Sequence, residues 1–261
     1  LIDEINRVSA VKVAVDIPSG LSAGTVQVSN TRVKADYTVT FGFDKTGMVL
    51  YPGRKYAGKV IVSDIGFAAG QDNVQKILQN NPAKMIEKKD ILTIPEREAD
   101  SNKGTSGKVL IAAGSRDMGG AAFMSAQSAY RSGCGLVRGF THENNKNALL
   151  TLVPESICDT YNDKNSNCDE LTKWCTWADC IIAGPGLSVL GQSEEIVKCI
   201  LKSGSDATLI LDADALNIIS ENDEYYEYIN EYKGTVIVTP HVGEMSRLTG
   251  KSIGQIKENP V

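Results

Sequence analysis

The sequence predicts an α/β fold made of two successive units, and three of its features carry that reading. Short apolar runs recur along it, near-continuous rather than alternating, as parallel strands covered on both faces require. Segments of helical length separate the later runs. The rhythm breaks over residues 70–107, which hold hardly a strong strand and so mark a domain connection.

In order, "VKVAVD" (11–16), "DYTVTFGF" (36–43) and "KVIVSDIG" (59–66) are the strands of the first unit. After the break come "KVLIAAGS" (108–115), "CIIAGPG" (180–186), "TLILDAD" (208–214) and "TVIVTPH" (235–241). Helices are expected over 118–133 and 192–204, each closing at a glycine suited to the left-handed C-terminal position. Small residues Ala121, Ala122, Ser125, Ala126 and Ala129 lie along about one face of the first helix, which lets it approach the sheet closely.

The chain has 27 Lys and Arg against 32 Asp and Glu, a net charge of −5, which provides no basic field for nucleic acid or anionic lipid. Small molecules or proteins are the expected partners, with no nucleic acid and no membrane. The first twenty residues lack the plan of a signal peptide, and no apolar run approaches a membrane span, so a cytoplasmic location is expected. The six cysteines include no C-x-x-C pair, and a chain of this size needs no disulfide to fold; reduced structural thiols are expected.

In open parallel sheets, ligands settle outside the carboxyl ends of the strands, where helix N-termini add amide donors. The motifs there carry the candidate chemistry. "AAGSRDMGGAA" (112–122) is a glycine-rich strand-to-helix loop that suits either a phosphate or sugar, or a tight turn. "AGPGL" (183–187) makes a stiff loop that a planar ligand can approach. "LDADALN" (211–217) places Asp212 and Asp214 at a strand end, where they could orient a hydroxyl or a metal-nucleotide, with helix capping expected for at least one. His241 stands where a strand gives way to a helix, while His142 in "FTHENNKN" is expected in a surface loop.

The order of these motifs is more specific than any one of them. "NKGTSGKVLIAAGS", "MGGAAFMSAQSAYRSGCGLV", "IIAGPGL", "LILDADALN" and "TVIVTPHVGEMSRLTG" together resemble the ADP- or ATP-dependent NAD(P)H-hydrate dehydratase family, whose fold is ribokinase-like. Upstream, "VAVDIPSGLSAGTV", "ADYTVTFGFDKTGMVLYPG" and "GKVIVSDIGF" resemble the last part of the Rossmann-like NAD(P)H-hydrate epimerase domain. The resemblance therefore divides the chain into an epimerase part at 1–70, a linker at 71–85 and a dehydratase domain at 86–261.

The resemblance implies repair of NADH or NADPH that has taken up water at the nicotinamide ring. The epimerase interconverts the two epimers of the hydrate, and the dehydratase uses a nucleotide to phosphorylate the added hydroxyl before eliminating it. It also implies site residues: Ala121, Gly186, His241, Glu244 and Arg247 toward the hydrated cofactor, Asp16 toward the hydrate in the epimerase part, and Ser19 as a potassium ligand; Asp214 joins the substrate-binding candidates from its place at the strand end. ADP or ATP, potassium and magnesium are the implied cofactors, and a homo-oligomer is expected. The sequence departs from the family in lacking the Lys-Gly nucleotide segment and the Gly-x-Gly-Asp stretch, and in carrying Asn102 where a histidine is common. A fragment without dehydratase turnover is therefore expected, its catalytic residues unidentified. Two other readings stay open: a related kinase for a vitamin precursor, and a binding protein that kept the fold without the chemistry.

Overall fold

The computed structural model describes residues 1–66, 76, 85–86, 88–91, 98, 100–258 and 260. The 71–85 linker lies outside the described residues apart from Lys76 and Met85. The chain divides into two compact units, one comprising Leu1–Ile94 with Ser252–Val261 and the other Pro95–Lys251.

The first unit holds a three-stranded parallel sheet in the order β1 (Val13–Val15), β2 (Tyr37–Phe41), β3 (Lys59–Ser63). Its core is small. Met48 and Ala57 from two single-turn helices are fully buried, and so are Thr38 and Thr40 on β2. The Thr38 hydroxyl donates to the Ala57 carbonyl at 2.6 Å, so its burial leaves no polar atom unpaired.

The second unit is a six-stranded parallel sheet, β4 (Lys108–Ala112), β5 (Leu136–His142), β6 (Ile157–Tyr161), β7 (Cys180–Ala183), β8 (Thr208–Leu211) and β9 (Val236–Val238), in the spatial order β6-β5-β4-β7-β8-β9. Alternate residues of β4 and the residue that follows it feed two separate cores, which is why the run from Val109 to Ala113 is apolar throughout. Leu110 and Ala112 join one with Phe140, Leu171, Ile196 and Leu209. Ile111 and Ala113 join the other with Val137, Ala122, Ala126 and Leu149. The expected helices are observed as Gly119–Arg131 and Ser193–Leu201, with Gly133 and Gly204 at positive φ beyond their ends.

Two strands go beyond the sequence expectation. β5 reads "LVRGFTH" and β6 reads "ICDTY", so charged residues interrupt the apolar pattern. The fold absorbs them by pairing: Arg138 of β5 is ion-paired with Asp159 of β6, and its guanidinium lies 3.4 Å from the centre of the Trp174 ring.

The cysteines correct another expectation. Cys168 and Cys199 form a disulfide, with Cα atoms 5.9 Å apart. These residues are 31 positions apart in sequence and meet because the helices Cys168–Trp177 and Ser193–Leu201 pack side by side, a proximity that linear spacing cannot reveal. Cys158, Cys175 and Cys180 keep the reduced thiols that were expected; burial pushes the Cys175 thiol up to about 12.

Candidate functional site

The strand order reverses beside β4: the chain runs outward to β5 and β6, then returns to place β7 on the other side. The crevice outside the carboxyl ends of β4 and β7 is the topological switch point, the usual ligand position in such sheets. The loops that follow these two strands are the glycine-rich pair singled out in sequence. They are stitched together by Gly114 N–H donating to the Pro185 carbonyl at 3.0 Å and Ser115 N–H to the Gly186 carbonyl at 2.6 Å. Both glycines of the β7 loop are required by space. A Cβ at Gly184 would collide with the Asp212 carbonyl, and one at Gly186, where φ is 59°, would lie 2.7 Å from the Ala121 Cβ. Ala121 and Gly186 thus meet, at the start of the Gly119–Arg131 helix. The small-residue stripe divides, since Ala122 and Ala126 are buried in the core while Ala121 faces the Gly186 loop.

Asp214 continues this structure on the next loop. Its Oδ2 accepts from the Ser188 N–H at 2.8 Å and its Oδ1 from the Asn217 side-chain amide at 3.3 Å. The Arg247 Nε donates to Asn217 Oδ1 at 3.0 Å. One polar chain therefore runs from the β7 loop through Asp214 and Asn217 to Arg247. Neither Asp212 nor Asp214 caps the Asp214–Ser220 helix with its side chain, contrary to the capping expected from sequence. Ser188 and Ala213 both have positive φ, strain held at this junction.

His241 is the N-cap of the helix Val242–Thr249. Its Nδ1 accepts from the Gly243 and Glu244 N–H groups at 2.9 and 3.3 Å, and the Glu244 carboxylate accepts from the His241 N–H at 2.8 Å, completing a capping box. With Nδ1 accepting, the ring proton sits on Nε2, which lies 3.2 Å from Glu244 Oε1. The imidazole is largely exposed and Glu244 is buried.

The other histidine overturns its surface-loop expectation. His142 ends β5, an interior strand, and is only 2% exposed. Its Nδ1 accepts from the Asn144 N–H at 3.3 Å, its Nε2 contacts Asp163 Oδ1 at 3.1 Å, and its ring edge meets Tyr161. Asp163 Oδ2 is in turn 3.0 Å from the Arg116 guanidinium. These groups line a cavity of about 220 Å³ that also reaches Ser115, Leu187 and Ser188. Burial, with Asp163 nearby, pushes the Tyr161 hydroxyl up to about 12, so it stays a neutral donor to the Gly114 carbonyl at 3.3 Å. Sequence reasoning missed this cluster. The available signal was "THENNKN", a histidine followed by polar residues at a strand-to-helix junction.

In the first unit, Asp16 follows β1 with φ of 65°, unusual for a residue other than glycine. Its Oδ1 accepts from Lys45 Nζ at 2.7 Å, from the Phe41 N–H at 3.1 Å and from the Thr40 hydroxyl at 3.1 Å. The Lys45 hydrogen bond, reinforced by the Phe41 amide, holds this carboxyl below its ordinary range. Lys45, the cation paired with Asp16, is a residue that the sequence reading did not name. Ser19 lies exposed on the next turn, its carbonyl taken by the Val33 N–H at 2.9 Å. Among the described residues no group of three or more His, Cys, Asp or Glu could hold a metal.

A parallel sheet with a ligand crevice at its switch point, lined by glycine loops and helix starts, defines an α/β protein of the ribokinase-like class. Solved structures agree. A ribokinase-like superfamily protein from Enterococcus faecalis V583 superposes with a TM-score of 0.54 at 30% identity, covering 61% of this chain and 54% of its own. An ADP/ATP-dependent NAD(P)H-hydrate dehydratase from Bacillus subtilis, co-crystallised with ATP/Mg2+, gives a TM-score of 0.51 at 32% identity over 65% of this chain and 56% of its own. The profile of the NAD(P)H-hydrate dehydratase family matches residues 109–260, and the chain belongs to that family. Residues 1–47 match the family described as YjeF-related protein N-terminus. Among curated relatives, the bifunctional NAD(P)H-hydrate repair enzyme of Thermofilum pendens is 33% identical over 100% of this chain and 49% of its own length. That of Escherichia coli K12 is 32% identical over 99% of this chain and 47% of its own. The chain thus spans about half the length of the curated relatives it matches. Among the described residues, no helix is long and apolar enough to cross a membrane.

Proposed function

We propose that the protein repairs hydrated NADH or NADPH, its second unit serving a nucleotide-dependent dehydration and its first unit the epimerisation of the same hydrate. The observation that carries this reading is the family match over 109–260, which spans the strand ends where Ala121, Gly186, Asp214 and His241 stand. In this reading ADP or ATP supplies the phosphoryl group that turns the added hydroxyl into a leaving group. Magnesium would arrive with the nucleotide phosphates rather than on a protein cage.

The residues then divide the work. Ala121 and Gly186 leave backbone accessible to the hydrated ring. The Asp214–Asn217–Arg247 chain fixes the loops around it, and the Nε2–H of His241 is the donor that turns from Glu244 to the ligand. Asp16, held ionised by Lys45, accepts from the hydrate at the first unit's strand ends. Domain limits of 1–70, 71–85 and 86–261, a homo-oligomeric assembly and a cytoplasmic location belong to the same proposal.

Titration calorimetry with chemically prepared NADH hydrate and NADPH hydrate tests it on the chain as it stands. Saturable binding of at least one hydrate, weakened by Gly186→Val, is the expected result. A folded chain that binds neither hydrate at millimolar concentration overturns the proposal.

A further inference from the structure

The cavity walled by Arg116, His142 and Asp163 has no part in the preceding assignment, and its construction is unusual in one respect. A half-exposed Arg–Asp pair contributes little to stability, the two side chains here being 58% and 54% exposed. Yet a histidine whose side chain is 3% exposed is spent on holding that aspartate, with its second nitrogen occupied by the Asn144 amide. Burying an imidazole is costly unless it is fully hydrogen-bonded. Here it is satisfied, and the outcome is a carboxylate fixed in direction at a cavity mouth. His142 has no nitrogen left for proton transfer, so it is a positioning residue.

What remains unused is telling. A carboxylate has about four acceptor directions, and Asp163 Oδ1 and Oδ2 take one partner each from His142 and Arg116. Each oxygen can still accept a hydroxyl, which matches two vicinal hydroxyls on one ring. Arg116 presents a fork of donors, and those not turned to Asp163 suit a neighbouring phosphate oxygen. The cavity volume of about 220 Å³ falls below that of sites enclosing a whole drug-sized ligand, so it takes one moiety of a larger molecule. Its rim is continuous with the ring site, since Ser115, which lines it, is bonded to Gly186 at 2.6 Å.

We propose that this cavity is a ribose subsite, in which Asp163 accepts the vicinal hydroxyls of a dinucleotide ribose and Arg116 meets the adjoining phosphate. The inference rests on the hydrated-dinucleotide reading above. It gives the protein a means of sensing a 2′-phosphate, because an acidic residue suits a free ribose diol and repels a phosphorylated one.

The test is calorimetry of Asp163→Asn and Arg116→Gln against NADH hydrate and NADPH hydrate. Asp163→Asn is expected to weaken NADH hydrate binding about tenfold or more, and Arg116→Gln by a smaller factor. If the subsite takes the adenosine ribose, Asp163→Asn also narrows the gap between the two hydrates; if it takes the nicotinamide-side ribose, both weaken equally. Arg116 is exposed, so its variant keeps the test alive should Asp163→Asn unfold. Unchanged affinity for both hydrates in every folded variant overturns the subsite alone. Failure of the unsubstituted chain to bind either hydrate overturns the repair reading and the subsite with it.

Discussion

His142 and His241 both stand near the carboxyl end of a strand in one sheet, yet their side chains are 3% and 68% exposed. The difference follows from strand order. His142 ends β5, flanked by β4 and β6, so neighbouring loops close over it. His241 follows β9, an edge strand of the described sheet, and looks outward. The first uses its ring to fix another side chain, the second to begin a helix. A histidine's chemistry in a parallel sheet therefore depends on the position of its strand in space, which the order along the chain does not give.

The His142 region also has a covalent lock that the His241 region lacks. Cys168 and Cys199 tie the two helices whose preceding loops, bearing Asp163 and Ser188, wall the cavity. The loop closed by this bond has a sequence separation of 31, for which the chain-entropy account gives about 3–4 kcal/mol. Cys199→Ser should produce the largest loss of stability among these substitutions, measured by denaturant unfolding with and without reductant. If reductant lowers the unsubstituted protein to the level of Cys199→Ser and leaves the variant unmoved, the lock is confirmed. An equal response in both would mean that the bond does not form in solution.

Replacing His142 comes next. His142→Ala leaves a cavity and strips Asp163 of its buried partner, a loss of about 1–3 kcal/mol. Stability alone does not reveal positioning, so His142→Gln and His142→Leu sharpen the comparison. Glutamine can still donate to Asp163 and should preserve hydrate affinity, whereas leucine fills the space and should lose it. Equal affinity in the two variants would reduce His142 to packing.

At His241 the smaller effect is a lost cap, about 1 kcal/mol for His241→Ala. His241→Ser separates the two duties of the residue, because serine is a preferred N-cap and cannot replace the Nε2–H. A melting temperature near that of the unsubstituted protein, with weakened hydrate binding, would support the ligand role. Unchanged binding in His241→Ser would leave His241 with the capping box alone.

The comparison also explains what was legible in the sequence. β4, β7 and β8 could be read because residues buried on both faces must be apolar, and the Gly184 and Gly186 loop because only glycine fits there. β5 and β6 could not, since Arg138 and Asp159 satisfy each other only across the sheet, and neither residue signals the other in sequence. The same holds for Cys168 with Cys199 and for His142 with Asp163, partners brought together by packing. His241 was legible as a strand-to-helix junction, but its capping role depends on backbone geometry that the letters "PHVGE" only suggest. Ser19 was named through resemblance alone.

The smallest expected effect lies in the other sheet, where Asp16 offers a strand-end acid without a histidine. Lys45 first and the Phe41 amide second stabilise the charged carboxylate, so the folded-state pKa lies below the unfolded one. The sign follows from linkage: the stabilisation is present above the unfolded aspartate value, near 3.9, and fades as the pH falls through the lower folded value. Asp16 is partly exposed, so solvent screens the effect and stability above pH 5 should be flat with respect to this group. Lys45→Ala removes the first cause and leaves the Phe41 amide. In a carboxyl NMR titration, the Asp16 midpoint should rise toward the ordinary value without reaching it, and the shift should shrink in high salt in the unsubstituted protein. A midpoint unmoved by Lys45→Ala would place the cause in the backbone amide and the positive φ at Asp16, making its conformation rather than its ion pair the feature that prepares it to accept a ligand hydroxyl.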